Sequence, residues 1–224
     1  MSKVKTIEVD GYHFYKVIDV FPKTFLKKLL KSSTYWLEKT RKDPSEEVFP
    51  PEASGSLLEY EEFKEDPIWI RYYKTIDEIV SEYSKLVEIP MDYLSRHASW
   101  ITRVKDLNFP NKFNTDLTRR LKYQSLEGNM HSHVDSDPIT TVFYLKNPHR
   151  KYGTVIKRAG GQNMFNPGDE NSIIIFDGRL FHSAQYPPIK ITAKSPRYTI
   201  VADYEFKHSM HVKEDSFKRK KPVA

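Results

Sequence analysis

The stretch from Gly128 to Asp137, GNMHSHVDSD, carries two histidines and two aspartates within its last seven residues. On an extended strand, residues two apart point to the same side. His131, His133, Asp135 and Asp137 can therefore share one face. Any neighbouring His/Asp pair among them can offer an imidazole and a carboxylate to one metal ion. A bare His-x-Asp spacing is common by chance, and it gains weight here from a third imidazole further along the chain. His182 stands 47 residues after Asp135 in the segment IIIFDGRLFHSA. That segment reads as a buried strand, a tight turn and a histidine opening another strand. Two imidazoles and one carboxylate bind iron(II) on one face and leave open positions, which oxygen activation requires.

Arg197 stands fifteen residues after His182 and opens the strand-like run RYTIVADYEF. An arginine leading so apolar a strand needs an anionic partner if it points inward. The distal carboxylate of a dicarboxylic acid would serve, because a guanidinium grips a carboxylate in bidentate geometry. An arginine that simply reaches solvent from the strand end would need no such partner.

These residues need a scaffold, and the composition narrows it. The 224 residues suit one domain, and 38% apolar with 29% charged residues fit a soluble globular protein. Cysteine is absent, which excludes disulfides, thiol catalysis and cysteine-based zinc sites. Any metal must be held by His, Asp, Glu or backbone oxygen. No apolar run nears the roughly 20 residues that span a bilayer, and the first residues lack a signal-peptide core. The expected location is the cytoplasm, with no membrane partner. The net charge of +6 draws partly on the tail Lys218-Arg219-Lys220-Lys221, read as a solvated end rather than a nucleic-acid contact.

Along the chain, Ile7 to Phe21 reads as one or two strands. A helix is expected from Thr24 to about Lys39, then a loop over 43–56. A second helix has Asp66 as cap and Pro67 in its first turn, and Pro90 ends it. A further helical turn is expected near Met91. After Ser99 the texture becomes short strand-like runs separated by turn signals: Trp100–Val104, Lys122–Leu126, Ile139–Leu145, Gly153–Lys157, Ser172–Phe176 and Arg197–Phe206. Such spacing points to a sandwich, barrel or jelly roll. The unbroken run Ile173-Ile174-Ile175-Phe176 predicts a strand buried on both faces, as if helices cover one side of its sheet.

The sequence resembles the 2-oxoglutarate/iron(II) oxygenase superfamily, within it the prolyl-hydroxylase-like members, including small ones from bacteriophages. The residues that carry the resemblance are His133-Val-Asp135, TTVFYLKN, YGTVIK, NPGDENS, IIIFDGRLFHSA and Arg197-Tyr-Thr-Ile, spread over roughly the second half of the chain. The resemblance implies a mainly β fold, a double-stranded β-helix or jelly roll with N-terminal helices packed on the larger sheet. It implies one domain over 1–224: supporting strand and helices over 1–98, the jelly-roll core over 99–207, and a basic tail over 208–224. It also implies His133, Asp135 and His182 as iron ligands, Arg197 as the 2-oxoglutarate clamp, and Tyr123, ten residues before His133, as a hydrogen-bond partner of that cosubstrate. The implied reaction hydroxylates a C–H bond using O2 and releases succinate and CO2. An aspartate ligand favours hydroxylation over halogenation, since it closes the halide position.

Two features depart from that pattern. The gap between His182 and Arg197 is long, and the insertion Gln185–Pro196 offers Lys190 and Lys194 as competing clamps. Arg197 is preferred because a strand holds a side chain more firmly than a loop does. His131 is a second candidate for the first ligand, but only His133 precedes Asp135 at the required spacing. His131 and Asp137 are read as supporting or solvent-exposed residues. The substrate, whether peptide or small molecule, is not legible. Alternatives are an oxygenase acting on nucleic-acid bases, or a non-catalytic jelly-roll module that binds a metal or ligand. The segments 43–56 and 105–115 are candidate lids by position.

Overall fold

The Ile173–Phe176 run sits at the heart of the larger of two antiparallel sheets. The structure, a computed structural model, describes residues 3–9, 11–40, 52–54, 56–104, 137–156, 164–184 and 194–207. Its strands are β1 (Lys3–Val9), β2 (Tyr12–Ile18), β3 (Glu52–Ala53), β4 (Leu94–Val104), β5 (Ile139–Lys146), β6 (Thr154–Ile156), β7 (Met164–Asn166), β8 (Ser172–Phe176), β9 (His182–Ala184) and β10 (Arg197–Phe206). Among the described residues, seven strands form a sheet in the order β1-β2-β8-β5-β10-β4-β3, and three form a second in the order β7-β6-β9. This is a mainly β jelly-roll arrangement with helices on the larger sheet, as the sequence predicts.

Helix α1 (Lys23–Thr40) and helix α3 (Pro67–Leu86) flank a short α2 (Glu61–Glu65). Asp66 caps α3 as expected, its Oδ1 accepting the Ile68 amide at 2.8 Å. Its other oxygen accepts from Ser32 Oγ of α1 at 3.1 Å, and Ser32 Oγ in turn accepts Trp69 Nε1 at 2.8 Å. One capping carboxylate thus fastens the two long helices together. Their apolar stripes, with Leu29, Trp36, Trp69, Tyr72 and Ile76, pack on one face of the large sheet through Phe143, Ile173, Ile175, Ile200 and Tyr204. The opposite face meets a second apolar cluster of Phe14, Val142, Tyr144, Ile156, Ile174 and Phe176. Both faces of β8 are therefore buried, which is why its sequence does not alternate.

A pin near the chain's start joins distant segments. Asn171 adopts φ 61°, a left-handed conformation that asparagine tolerates. Its side chain accepts the Phe21 amide and donates to the Phe21 carbonyl, both at 2.9 Å. Its own amide donates to the Tyr144 carbonyl at 2.8 Å.

Several expectations need correction. Residues 52–53 of the 43–56 loop form an edge strand on β4, pairing with Arg103 and Thr102, so that part is fixed to the sheet. β4 starts at Leu94, ahead of the expected change of texture at Ser99. α3 stops at Leu86, before Pro90, with Val87 closing it. β7 and α2 were too short for any periodicity to mark. The strand expected at Lys122–Leu126, the 105–115 segment and the basic tail lie outside the described residues.

Candidate active site

β8 delivers the site's best-defined imidazole. After Phe176 the chain turns through Asp177-Gly178-Arg179, and the Asp177 carboxylate locks the turn. It accepts the Arg179 amide at 3.1 Å and the Arg179 side chain at 2.9 Å and 3.2 Å. The turn aims the Leu180 carbonyl at His182 Nδ1, 2.9 Å away. A carbonyl can only accept, so Nδ1 carries the proton and Nε2 presents its lone pair. Metal-binding histidines are commonly oriented in this way. The ring is buried, 5% exposed, and stands edge-on to Phe176 at 4.9 Å.

Arg197 lies at the start of β10 and is also only 5% exposed. Its guanidinium stacks over the Tyr152 ring at 4.2 Å and sits 5.5 Å from that of Tyr144. Among the described residues no carboxylate pairs with it, and its Nε is buried without a hydrogen-bond partner. Burial pushes the Tyr144 and Tyr152 hydroxyls above the usual phenol range, and the Arg197 charge pulls each partly back. The Tyr144 hydroxyl bonds Thr154 Oγ1 at 2.5 Å. Asn166 Nδ2 lies beside the same hydroxyl without a hydrogen bond of good geometry. Close backbone packing holds this group: a Cβ on Gly153 would lie 1.9 Å from the Asn166 carbonyl oxygen.

The two buried groups face one space. His182 pairs with Ile156 across the β9–β6 ladder, and Thr154 stands two positions back along β6. Side chains two apart share a face, so His182 and the Thr154–Tyr144–Arg197 group line the same inter-sheet gap. Their separation along β6 is about 7 Å, comparable with the reach of an extended five-carbon diacid. Lys194, the rival clamp within the described residues, is exposed. His133, Asp135, Tyr123 and Lys190 lie outside the described residues.

The inner face of β10 continues away from Arg197 through Thr199, Val201, Asp203 and Glu205. Thr140 Oγ1 donates to Asp203 Oδ1 at 2.8 Å. Beyond it, one donor atom each from His97, Asp137 and Glu205 lies within 4.8 Å of the others, and His97 Nδ1 is 3.3 Å from Asp137 Oδ1. His97 is the extra residue where the β4–β10 register shifts, between Ala98↔Asp203 and Arg96↔Tyr204. Such a bulge re-aims a side chain. Asp137 is buried here, which corrects any reading of it as solvent-exposed. The sequence did not single out His97 or Glu205. Glu205 was findable, since it keeps Arg197's parity on β10, whereas the bulge at His97 leaves no mark in the pattern.

No family model and no curated protein matches the sequence. Solved structures match the fold. A prolyl-4-hydroxylase from Pseudomonas putida superposes with a TM-score of 0.57, at 10% identity over 87% of this chain and 92% of that one. The fold is that of the 2-oxoglutarate/iron(II) oxygenases. The non-heme α-ketoglutarate-dependent epimerase SnoN from nogalamycin biosynthesis gives 0.58, at 13% identity over 86% and 77% of the two chains. A prolyl hydroxylase from Trichoplax adhaerens, bound to a peptide of the hypoxia-inducible factor oxygen degradation domain, gives 0.55, at 11% over 92% and 87%. This oxygenase fold is thus shared with enzymes of more than one reaction outcome.

Proposed function

We propose that the protein is an iron(II)- and 2-oxoglutarate-dependent dioxygenase that hydroxylates a C–H bond of a peptide or small molecule. The observation that carries this reading is Arg197, a buried guanidinium with an unpartnered Nε and no carboxylate against it among the described residues. A buried guanidinium held by tyrosines without a counter-charge is costly, and an anionic ligand would offset that cost. The residues present fit the two groups this fold accommodates elsewhere. His182 has its tautomer set to present Nε2 for ligation, and the donors around Arg197 suit a carboxylate.

In this reading His182, His133 and Asp135 hold the iron. His133 and Asp135 enter this reading through the sequence pattern alone. Phe176, paired with Thr140 across the β8–β5 ladder, backs the His182 ring. Bound iron with 2-oxoglutarate supplies O2 activation, with release of succinate and CO2. Arg197 binds and orients the far carboxylate, Tyr152 holds the guanidinium plane, and Tyr144 with Thr154 presents hydroxyls beside it. Val142, Ile156, Ile174 and Phe176 exclude water from the gap. Tyr123 is proposed as a further partner of the cosubstrate.

The test is succinate formation coupled to oxygen consumption by the full chain with iron(II) and 2-oxoglutarate. Substrate-independent turnover above that of Arg197→Met supports the reading. No turnover, together with no 2-oxoglutarate binding by calorimetry, overturns it in favour of a non-catalytic module.

A further inference from the structure

A second cationic cavity is lined by residues of β1, β2 and the Asn166-Pro167 turn. Lys16, on the inner face of β2, is 8% exposed. Its ammonium donates to the Pro167 carbonyl at 2.6 Å and to Asp169 Oδ2 at 2.7 Å. Asp169 Oδ1 in turn meets Arg150 Nε at 3.2 Å. Lys5 stands directly opposite Lys16 across the β1–β2 ladder, a like-charge pair that costs stability. Burial outweighs the pairing with Asp169, and with the Arg150 and Lys5 charges it holds Lys16 below the usual lysine range. A strut between β2 and the turn after β7 would need one of these cations. Two cations, Lys16 and Arg150, share the Asp169 carboxylate and Lys5 stands beside them, so among the described residues of this cluster positive charge is in surplus.

These groups line a cavity of about 250 Å³ whose other walls are apolar, including Phe14, Met164 and Ile174. Asn166, 5% exposed, also lines it. Lys16, Lys5 and Arg150 bring cationic donors to a chamber whose carboxylate, Asp169, is already engaged by two of them. That combination suits a ligand with an anionic end and an apolar body. We infer that this cavity binds a small carboxylic acid with an aromatic or aliphatic body, its carboxylate toward Lys16, Lys5 and Arg150 and its body against Phe14 and Ile174. Inorganic anions lack the apolar part and would leave those walls unfilled.

The test uses benzoate as probe on the full chain, by calorimetry without iron or 2-oxoglutarate, so that it stands independently of the proposed reaction. One saturable site is expected. Lys5→Gln and Arg150→Gln, both at exposed positions, should each weaken it about tenfold, the loss of one charge-assisted hydrogen bond. Lys16→Met should abolish it, with native circular dichroism but a lower melting temperature, since Asp169 and the Pro167 carbonyl lose a donor. Benzyl alcohol and phosphate should not compete. Absence of saturable binding would overturn the inference, as would affinity unchanged in both glutamine variants. So would loss of benzoate binding in Arg197→Met or its displacement by 2-oxoglutarate, either of which places the ligand in the other pocket.

Discussion

The two faces of β10 do different work with alternate residues of one strand. Tyr198, Ile200, Ala202, Tyr204 and Phe206 turn toward the helices and join a continuous aromatic and aliphatic core. Trp69, Tyr72 and Tyr73 pack there with ring centroids 5.0 to 5.9 Å apart. The guanidinium on that face has a carboxylate partner: Asp77 of α3 accepts from Arg96 at 2.7 Å and from Tyr204 at 2.6 Å. Arg197, Thr199, Asp203 and Glu205 turn the other way, into a gap where the Arg197 guanidinium stays under-satisfied. One face gains stability by burying apolar area. The other holds buried polar groups at a cost, and the first is what sustains it.

That division can be broken by substitution. The largest effect is expected from His182→Ala: turnover falls to background in the coupled oxygen and succinate assay, while circular dichroism stays native. On the helix side, Trp69→Ala is expected to cost about 3–5 kcal/mol in urea unfolding, because it removes a fully buried ring. Its 2-oxoglutarate affinity at low temperature should stay unchanged. Arg197→Met is expected to raise the 2-oxoglutarate KM by at least about 30-fold, equivalent to roughly 2 kcal/mol or more for a lost buried charge pair. Combined with Trp69→Ala, its effect on stability should add within about 0.5 kcal/mol. Coupling well above that would show that the two faces are not independent.

Alkaline titration gives the smallest and most discriminating signal. Burial raises Tyr73 to about 12 and pushes Tyr72 and Tyr204 well above the ordinary value. These phenols ionise first in the unfolded chain, near pH 10. Stability should therefore fall as pH rises above about 10, with Tyr73's share fully lost by about 12. Melting temperatures and phenolate absorbance measure this. Arg197→Met should move the Tyr144 and Tyr152 titrations further upward and leave Tyr73 in place. Equal movement of all three would end the distinction between the faces.

Much of this was legible in the sequence because it rests on local rules. Asp66-Pro67 marks a helix start through a cap and a fixed φ. The unbroken Ile173–Phe176 run marks burial on both sides. The alternation in RYTIVADYEF separates Arg197 and Glu205 from Tyr198 and Phe206 before any coordinates. What was not legible depends on tertiary contact. The tyrosines that flank Arg197 come from β5 and the turn before β6, so no spacing relates them to it. His97 reaches Asp137 and Glu205 only through a one-residue bulge. The Lys5–Lys16 opposition depends on hairpin register, which the loose alternation of Ile7–Phe21 does not specify.

The Asn171 pin has a consequence for biosynthesis. It joins residues 150 apart, and β2, whose partner on that side is β8, must wait just as long for it. At about 5–20 residues per second, the ribosome leaves the β1–β2 hairpin with an open edge for roughly 8–30 s. The central strands of the large sheet are thus among the last to emerge. A nascent chain of this protein is a natural client for whatever shields bare strand edges during translation.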